Sequence, residues 1–272
     1  ILRDEYKYKG ELETIPTGLE LSEFEGLTEE AFYLRFPTLR GKRVLLFAGR
    51  LGGEKNVSFL IRMMQELHGR DDTVLVIAGT GKDQDQFKEE AATLVEQGRV
   101  VFTGLLDRPV MLSAFKAADL FVFASKTDTQ ALVLSEAVAA GTPIVMIDDP
   151  GLSPALEEGK TAVVVPEHEQ AFASEVQRLL DDDAALAALS HNCEQLAPQL
   201  SMDFTVDTLI KTYEHVIEDH QSYSWRSRAR EALARDVDMK KLFPGIGKGR
   251  VNLMKAFKHT RKHVEDITGE EE

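Results

Sequence analysis

The chain has 272 residues, 43% of them hydrophobic and 29% charged, with a formal net charge of −14. These are the proportions of a globular protein with room for one large domain, or one domain with an appendage, and the negative charge argues against general nucleic-acid binding, because most of the surface repels a phosphate backbone. The single cysteine, Cys193, excludes an internal disulfide and a cysteine-rich metal site and fits a reducing compartment, while no run of about eighteen apolar residues is present to span a membrane.

Taken in order, residues 1–41 read as a connector arriving from another domain. Glu13-Thr-Ile-Pro-Thr-Gly18 predicts a short strand closed by a Pro/Gly turn, and residues 29–34 suit a helix. From there, apolar runs alternate with amphipathic ones. Runs at 43–48, 73–78, 99–102, 119–124, 143–147 and 161–165 predict six strands, and helical periodicity occupies 55–67, 84–96, 109–117, 131–140 and 169–180. Near-continuous apolar strands alternating with helices predict an α/β fold, a Rossmann-like, doubly wound parallel sheet over residues 42–220. Its ligand crevice would lie at the carboxyl ends of the strands.

Two more helices are expected at 184–196 and 203–218. A helical extension over 221–272 follows, with a helix at 223–234 that contains the only tryptophan, Trp225. Residues 239–263 carry eight Lys or Arg and no acid, with Val251, Met254 and Phe257 on one helical face. Two uses of this tail stay open: a peripheral contact with an anionic membrane surface, or packing of its apolar face on protein.

The chemistry-bearing motifs sit just after predicted strands. Gly49-Arg50-Leu51-Gly52-Gly53-Glu54-Lys55 follows the first strand; glycines there admit a phosphate close to the backbone, and Arg50 and Lys55 supply positive charge. It is not a P-loop, because no Gly-Lys-Ser/Thr occurs. Gly79-Thr80-Gly81 and Gly104-Leu105-Leu106 repeat the theme after the second and third strands. After the fourth, Asp128 stands in a loop and Glu136 two turns into an Ala-rich helix whose opening amides, from Gln130 to Val133, suit a diphosphate. Alone, an acid-x7-Glu spacing is a helix cap and a solvated position; the recurrence of glycine turns along the same sheet edge is what favours a site.

Together with Ile15-Pro16-Thr17-Gly18, the Gly-Arg-x4-Lys turn and the acid-x7-Glu segment continuing into Ala-x2-Ala-Gly-x-Pro resemble the carboxyl-terminal half of the family-four (group 1) retaining glycosyltransferases of GT-B architecture. The resemblance runs from Ile15 to about Glu218. It implies that Arg50 and Lys55 bind the donor diphosphate alongside Gly49, Gly52 and the segment Thr129, Gln130, Ala131, Leu132 and Val133. It further implies that Glu136 holds the ribose hydroxyls, Asp128 the transferred sugar, and the turn at Leu105 and Leu106 the nucleobase. It implies a hexose moved from a nucleotide sugar to a glycan or lipid acceptor, with retention and without a cofactor or bound metal; the single cysteine and the basic tail add the expectation of a cytoplasmic enzyme that can sit at the inner membrane face. Two departures stand out: Asp128 where Glu is commoner, and Ala131 where Gly is typical. The acceptor domain with its pocket histidine is expected outside this chain, since His68, His168, His191, His215, His220, His259 and His263 all suit surface or helix positions; the piece alone would then be poorly active. Alternatives are a non-catalytic nucleotide-binding or regulatory module and a GT-B sugar-nucleotide epimerase.

Overall fold

The computed structural model describes residues 12, 15, 17–126, 128, 131–148, 156 and 159–219. The chain divides into two units, 1–213 and 214–272. Of the second, the described residues are 214–219; the expected helix at 223–234 and the basic tail lie outside the described residues.

All six expected strands form: β1 (Arg43–Ala48), β2 (Thr73–Ala78), β3 (Val100–Gly104), β4 (Leu120–Phe123), β5 (Ile144–Ile147) and β6 (Ala162–Val165). They make one sheet in the order β3-β2-β1-β4-β5-β6, every pair parallel. The nine described helices are α1 (Glu30–Arg35), α2 (Val57–Glu66), α3 (Gln84–Glu90), α4 (Ala92–Glu96), α5 (Arg108–Ala117), α6 (Leu132–Ala139), α7 (Glu169–Leu180), α8 (Asp183–Leu196) and α9 (Met202–Asp219).

Alternate strand residues feed two cores, which is why the strands read as unbroken apolar runs. Leu45, Phe47, Leu75 and Ile77 face a cluster completed by Phe59 and Met63 of α2 and Phe172 and Val176 of α7. Val44, Leu46, Val74 and Val76 face the opposite one, with Phe32 of α1, Phe115 of α5, Leu134 and Val138 of α6 and Cys193 of α8. Burial pushes the Cys193 thiol up to about 12, so it stays protonated there.

Three expectations shift in detail. The helix expected at 84–96 is split into α3 and α4 at Ala91, whose φ of −90° and ψ of 2° open the turn. Lys55, expected to begin a helix, instead lies on a 3-10 turn (Gly53–Lys55); α2 starts two residues later, after Asn56 in the left-handed region. Of the short strand expected at residues 13–18, Glu13, Thr14 and Pro16 lie outside the described residues; just beyond it, Leu19 makes an isolated parallel bridge to Ser201. Residues 20–41 of the expected connector pack on the domain: Phe32 is fully buried and its N–H donates to Ser113 Oγ of α5 at 2.9 Å.

Candidate functional site

The strand order reverses between β1 and β4. In a parallel sheet the loops leaving two such strands turn to opposite faces and open a crevice at their carboxyl ends. The turn after β1 and the loop after β4 meet there. Lys55 Nζ donates to both carboxylate oxygens of Asp128, at 2.6 and 2.7 Å, and both side chains are about four-fifths buried. The two segments are also tied by their backbone, with Ser125 Oγ and Lys126 N–H each donating to the Glu54 carbonyl at 3.3 Å.

The β1 turn is set by its neighbour after β2. Gly49 N–H donates to the Ala78 carbonyl and Leu51 N–H to the Thr80 carbonyl, both at 3.0 Å. A Cβ on Gly79, whose φ is +135°, would fall 1.9 Å from the Gly49 carbonyl oxygen, and one on Gly81 would fall 2.1 Å from that of Leu51. Only glycine lets the two turns touch. Gly53 N–H is held by Asp83 Oδ2 at 2.7 Å. At Gly49 itself a Cβ would meet nothing closer than the Phe47 ring at 3.4 Å, and at Gly52 only the Glu54 carboxylate stands in the way.

Arg50 is exposed and pairs at 3.0 Å with Glu54, four residues on. The Glu54 carboxyl is held below its ordinary range, chiefly by a hydrogen bond from its own backbone amide, with Arg50 and Lys82 adding attraction. Leu105 stands 78% exposed after β3, whereas Leu106 packs against the core.

On the β4 side, Thr129 and Gln130 lie outside the described residues. Ala131 immediately precedes α6 with φ +40° and ψ +55°, the left-handed region, and is 9% exposed. Its counterpart before α2, Asn56, has φ +53°; asparagine tolerates that region, while a Cβ-bearing alanine is strained by roughly 1–2 kcal/mol there. Leu134 N–H already donates to the Ala131 carbonyl at 2.7 Å. The amides of Leu132 and Val133 precede that bond, in the first turn, where a helix has no acceptors of its own.

Glu136, also four-fifths buried, is engaged by a residue the sequence reading missed. Arg108 Nη1 donates to Glu136 Oε1, and its Nε and Nη2 donate to Glu23 Oε2 at 3.0 and 2.7 Å. Desolvation works against the Arg108 charge, but the bonds to Glu136 and Glu23 raise its pKa above the ordinary value. A signal was available: Arg108 opens α5, where the helix dipole disfavours a cation unless carboxylates offset it.

A cavity of about 420 Å³ adjoins this bridge, among Glu23, Gly26, Thr28, Arg108 and Leu112. Another of about 280 Å³ lies at the amino ends of the strands, among Arg43, Lys116, Asp119 and Asp183; its arginine and aspartates are paired with one another, which leaves the crevice as the better candidate. Among the described residues no three His, Cys, Asp or Glu side chains group as metal ligands, and no helix is long and apolar enough to cross a membrane.

The sequence model of one family, described as glycosyl transferases group 1, matches residues 34–198, more than half of the chain. An alpha-monoglucosyldiacylglycerol synthase of Streptococcus pneumoniae is 36% identical over 164 residues, covering 56% of this chain and 37% of that protein. Among solved structures, a glycosyltransferase of Rickettsia africae ESF-5 superposes with a TM-score of 0.70 at 16% identity, over 79% of this chain and 60% of that one. The Anabaena protein HepE, solved in complex with UDP and glucose, does so with a TM-score of 0.64 at 19% identity, over 74% of this chain and 56% of that one. The chain spans about a third to a half of the length of the curated relatives it matches.

Proposed function

Because the chain belongs to the group 1 glycosyl transferases, we propose that it forms the donor-binding half of a retaining enzyme, one that moves a hexose from a nucleotide sugar to a glycan or lipid acceptor. The observation that carries this reading is the Lys55–Asp128 pair lying across the switch point of the sheet. A lysine ammonium and a carboxylate held in one crevice suit a ligand with a phosphate at one end and hydroxyls at the other.

In this reading Lys55 exchanges Asp128 for the donor diphosphate. Arg50, exposed beside the turn, swings in as a second cation, and the first amides of α6 complete the anion site. Asp128, released from Lys55, accepts hydrogen bonds from the sugar, and Glu136 does so from the ribose. Gly49 and Gly52 leave the diphosphate room to approach, and the base lies near Leu105 and Leu106. As the glycosidic bond to the diphosphate breaks, negative charge grows on the leaving oxygen; cations already in place stabilise it without reorganising. The acceptor site belongs to a further domain of the whole protein, and a lipid acceptor is supported by the relative named for a glucosylated diacylglycerol.

Ala131 favours a second reading, a non-catalytic nucleotide-binding module, because its methyl group stands at the entrance to the first turn of α6. Thermal unfolding of the chain with UDP, GDP and ADP and their glucose adducts tests the proposal. One diphosphate, present at about a hundred times its Kd, is expected to stabilise the fold by about 2.7 kcal/mol; no stabilisation by any of the six would overturn it. Binding without turnover by the whole protein supports the module instead.

A further inference from the structure

Glu136 lies on α6 with one oxygen, Oε1, bonded to Arg108. Among the described residues no hydrogen bond to its Oε2 is recorded. The other edge of Arg108 is engaged as well. The far edge of its guanidinium is closed on Glu23 through two bonds, at 3.0 and 2.7 Å, and its Cζ lies 5.9 Å from the centre of the Phe24 ring. Glu23 and Phe24 belong to a single 3-10 turn, Leu21–Phe24, and Phe24 packs against the core. A planar guanidinium fixed along one edge and over one face dictates where its remaining N–H groups point. The carboxylate that accepts from it is therefore held in one orientation.

We propose that Arg108 is a positioning residue: by bridging Glu23 to Glu136 it fixes the Glu136 carboxylate so that Oε2 is presented to the donor's ribose hydroxyls. The inference rests on the reading of Glu136 as the ribose ligand. It makes the 3-10 turn that precedes α1 part of the donor site through Arg108.

The bridge separates from an ordinary surface ion pair by what its loss changes. A surface pair affects stability slightly and leaves ligand discrimination alone, whereas loss of a positioning group lowers the preference for ribose hydroxyls. The experiment is calorimetric titration of the full chain with UDP and GDP and with their 2′,3′-dideoxy counterparts. The unsubstituted chain is expected to bind the better diphosphate at least about ten-fold more tightly than its dideoxy form, the usual scale for hydrogen bonds to a charged group. Arg108→Gln is expected to reduce that ratio to about three-fold or less. Arg108→Lys recovers little, because an ammonium cannot bridge both carboxylates in a fixed plane. Glu23→Gln, which acts only through Arg108, is expected to fall between.

A ribose preference that survives Arg108→Gln in a folded protein overturns the positioning role. If Arg108→Gln does not fold, Glu23→Gln decides: an unchanged ratio there overturns the bridge. The underlying reading has its own outcome. A chain that binds diphosphates with no ribose preference, or one whose preference survives Glu136→Gln, removes Glu136 as the ribose ligand and the bridge with it. Absence of binding by either diphosphate overturns both.

Discussion

The two strands that flank the crevice carry an acid–base pair at each end, and the pairs differ in what they leave available. At the amino ends of β1 and β4, Asp119 accepts from Arg43 Nη1 at 2.8 Å and from the Val44 backbone N–H at 2.7 Å, while Arg43 Nη2 reaches Asp183 at 2.7 Å. At the carboxyl ends, Lys55 holds Asp128 side chain to side chain. Burial does not separate them, since Asp119 and Asp128 have 19% and 18% of their side chains exposed. The partners do. Asp119 is built into the strand ladder by a backbone amide, and its hydrogen bond to Arg43 is the first cause of the raised Arg43 pKa. The Lys55–Asp128 pair contains a point charge on a flexible stem, which can trade one anion for another. Among the described residues the main chain shares the Asp119 pair, which reads as structure, whereas Lys55 and Asp128 meet side chain to side chain, which makes them the better candidate for a site.

The largest effect that tests this contrast is at the amino end. Asp119→Ala leaves the Val44 amide and one edge of Arg43 without their acceptor and is expected to cost about 2–4 kcal/mol of stability in denaturant titration. Its folded fraction should bind nucleoside diphosphate within about two-fold of the unsubstituted chain; a larger change would mean the two ends are coupled. Lys55→Ala should invert the pattern. Diphosphate affinity is expected to fall by about ten- to a hundred-fold, the worth of a charge-assisted bond, with stability changed by less than about 1 kcal/mol; unaltered affinity would place the phosphate elsewhere. The smallest effect belongs to Ala131→Gly. Relief of the left-handed strain, less the entropy glycine loses on folding, leaves a net gain of about 0.5 kcal/mol. A loss of stability on chemical denaturation would show instead that packing of the Ala131 methyl group outweighs its backbone.

Much of this architecture was readable in the residues. β1 and β2 formed over the expected spans because every position but Arg43 is apolar enough to be buried. Helix boundaries were less legible: Lys55 and Asn56 belong to helix-forming periodicity, yet they lie on a 3-10 turn and in the left-handed region ahead of α2, in a turn tied to its neighbours by Asp83, Ser125 and Lys126. Ala131 was legible as a misfit and proved to be one in conformation. Arg108 was legible only as a cation at a helix start, because a lone arginine before a proline has no periodic or spacing signature; its partners come from 85 residues upstream and 28 downstream.

The sequence by itself determined the alternation of strand and helix, the six-stranded parallel sheet and the glycine turns on one edge of it, since these follow from local hydrophobic pattern and backbone freedom. It also marked Arg50, Lys55, Asp128 and Glu136 as the charges near that edge. Only the tertiary structure decided which of them meet. Strand order, not sequence distance, brings Lys55 to Asp128 across 73 residues, and packing of the turn at Leu21–Phe24 against the buried cluster delivers Glu23 to Arg108 and Arg108 to Glu136. A charge finds its partner by geometry, and that geometry is fixed only when the two apolar faces of the sheet are covered.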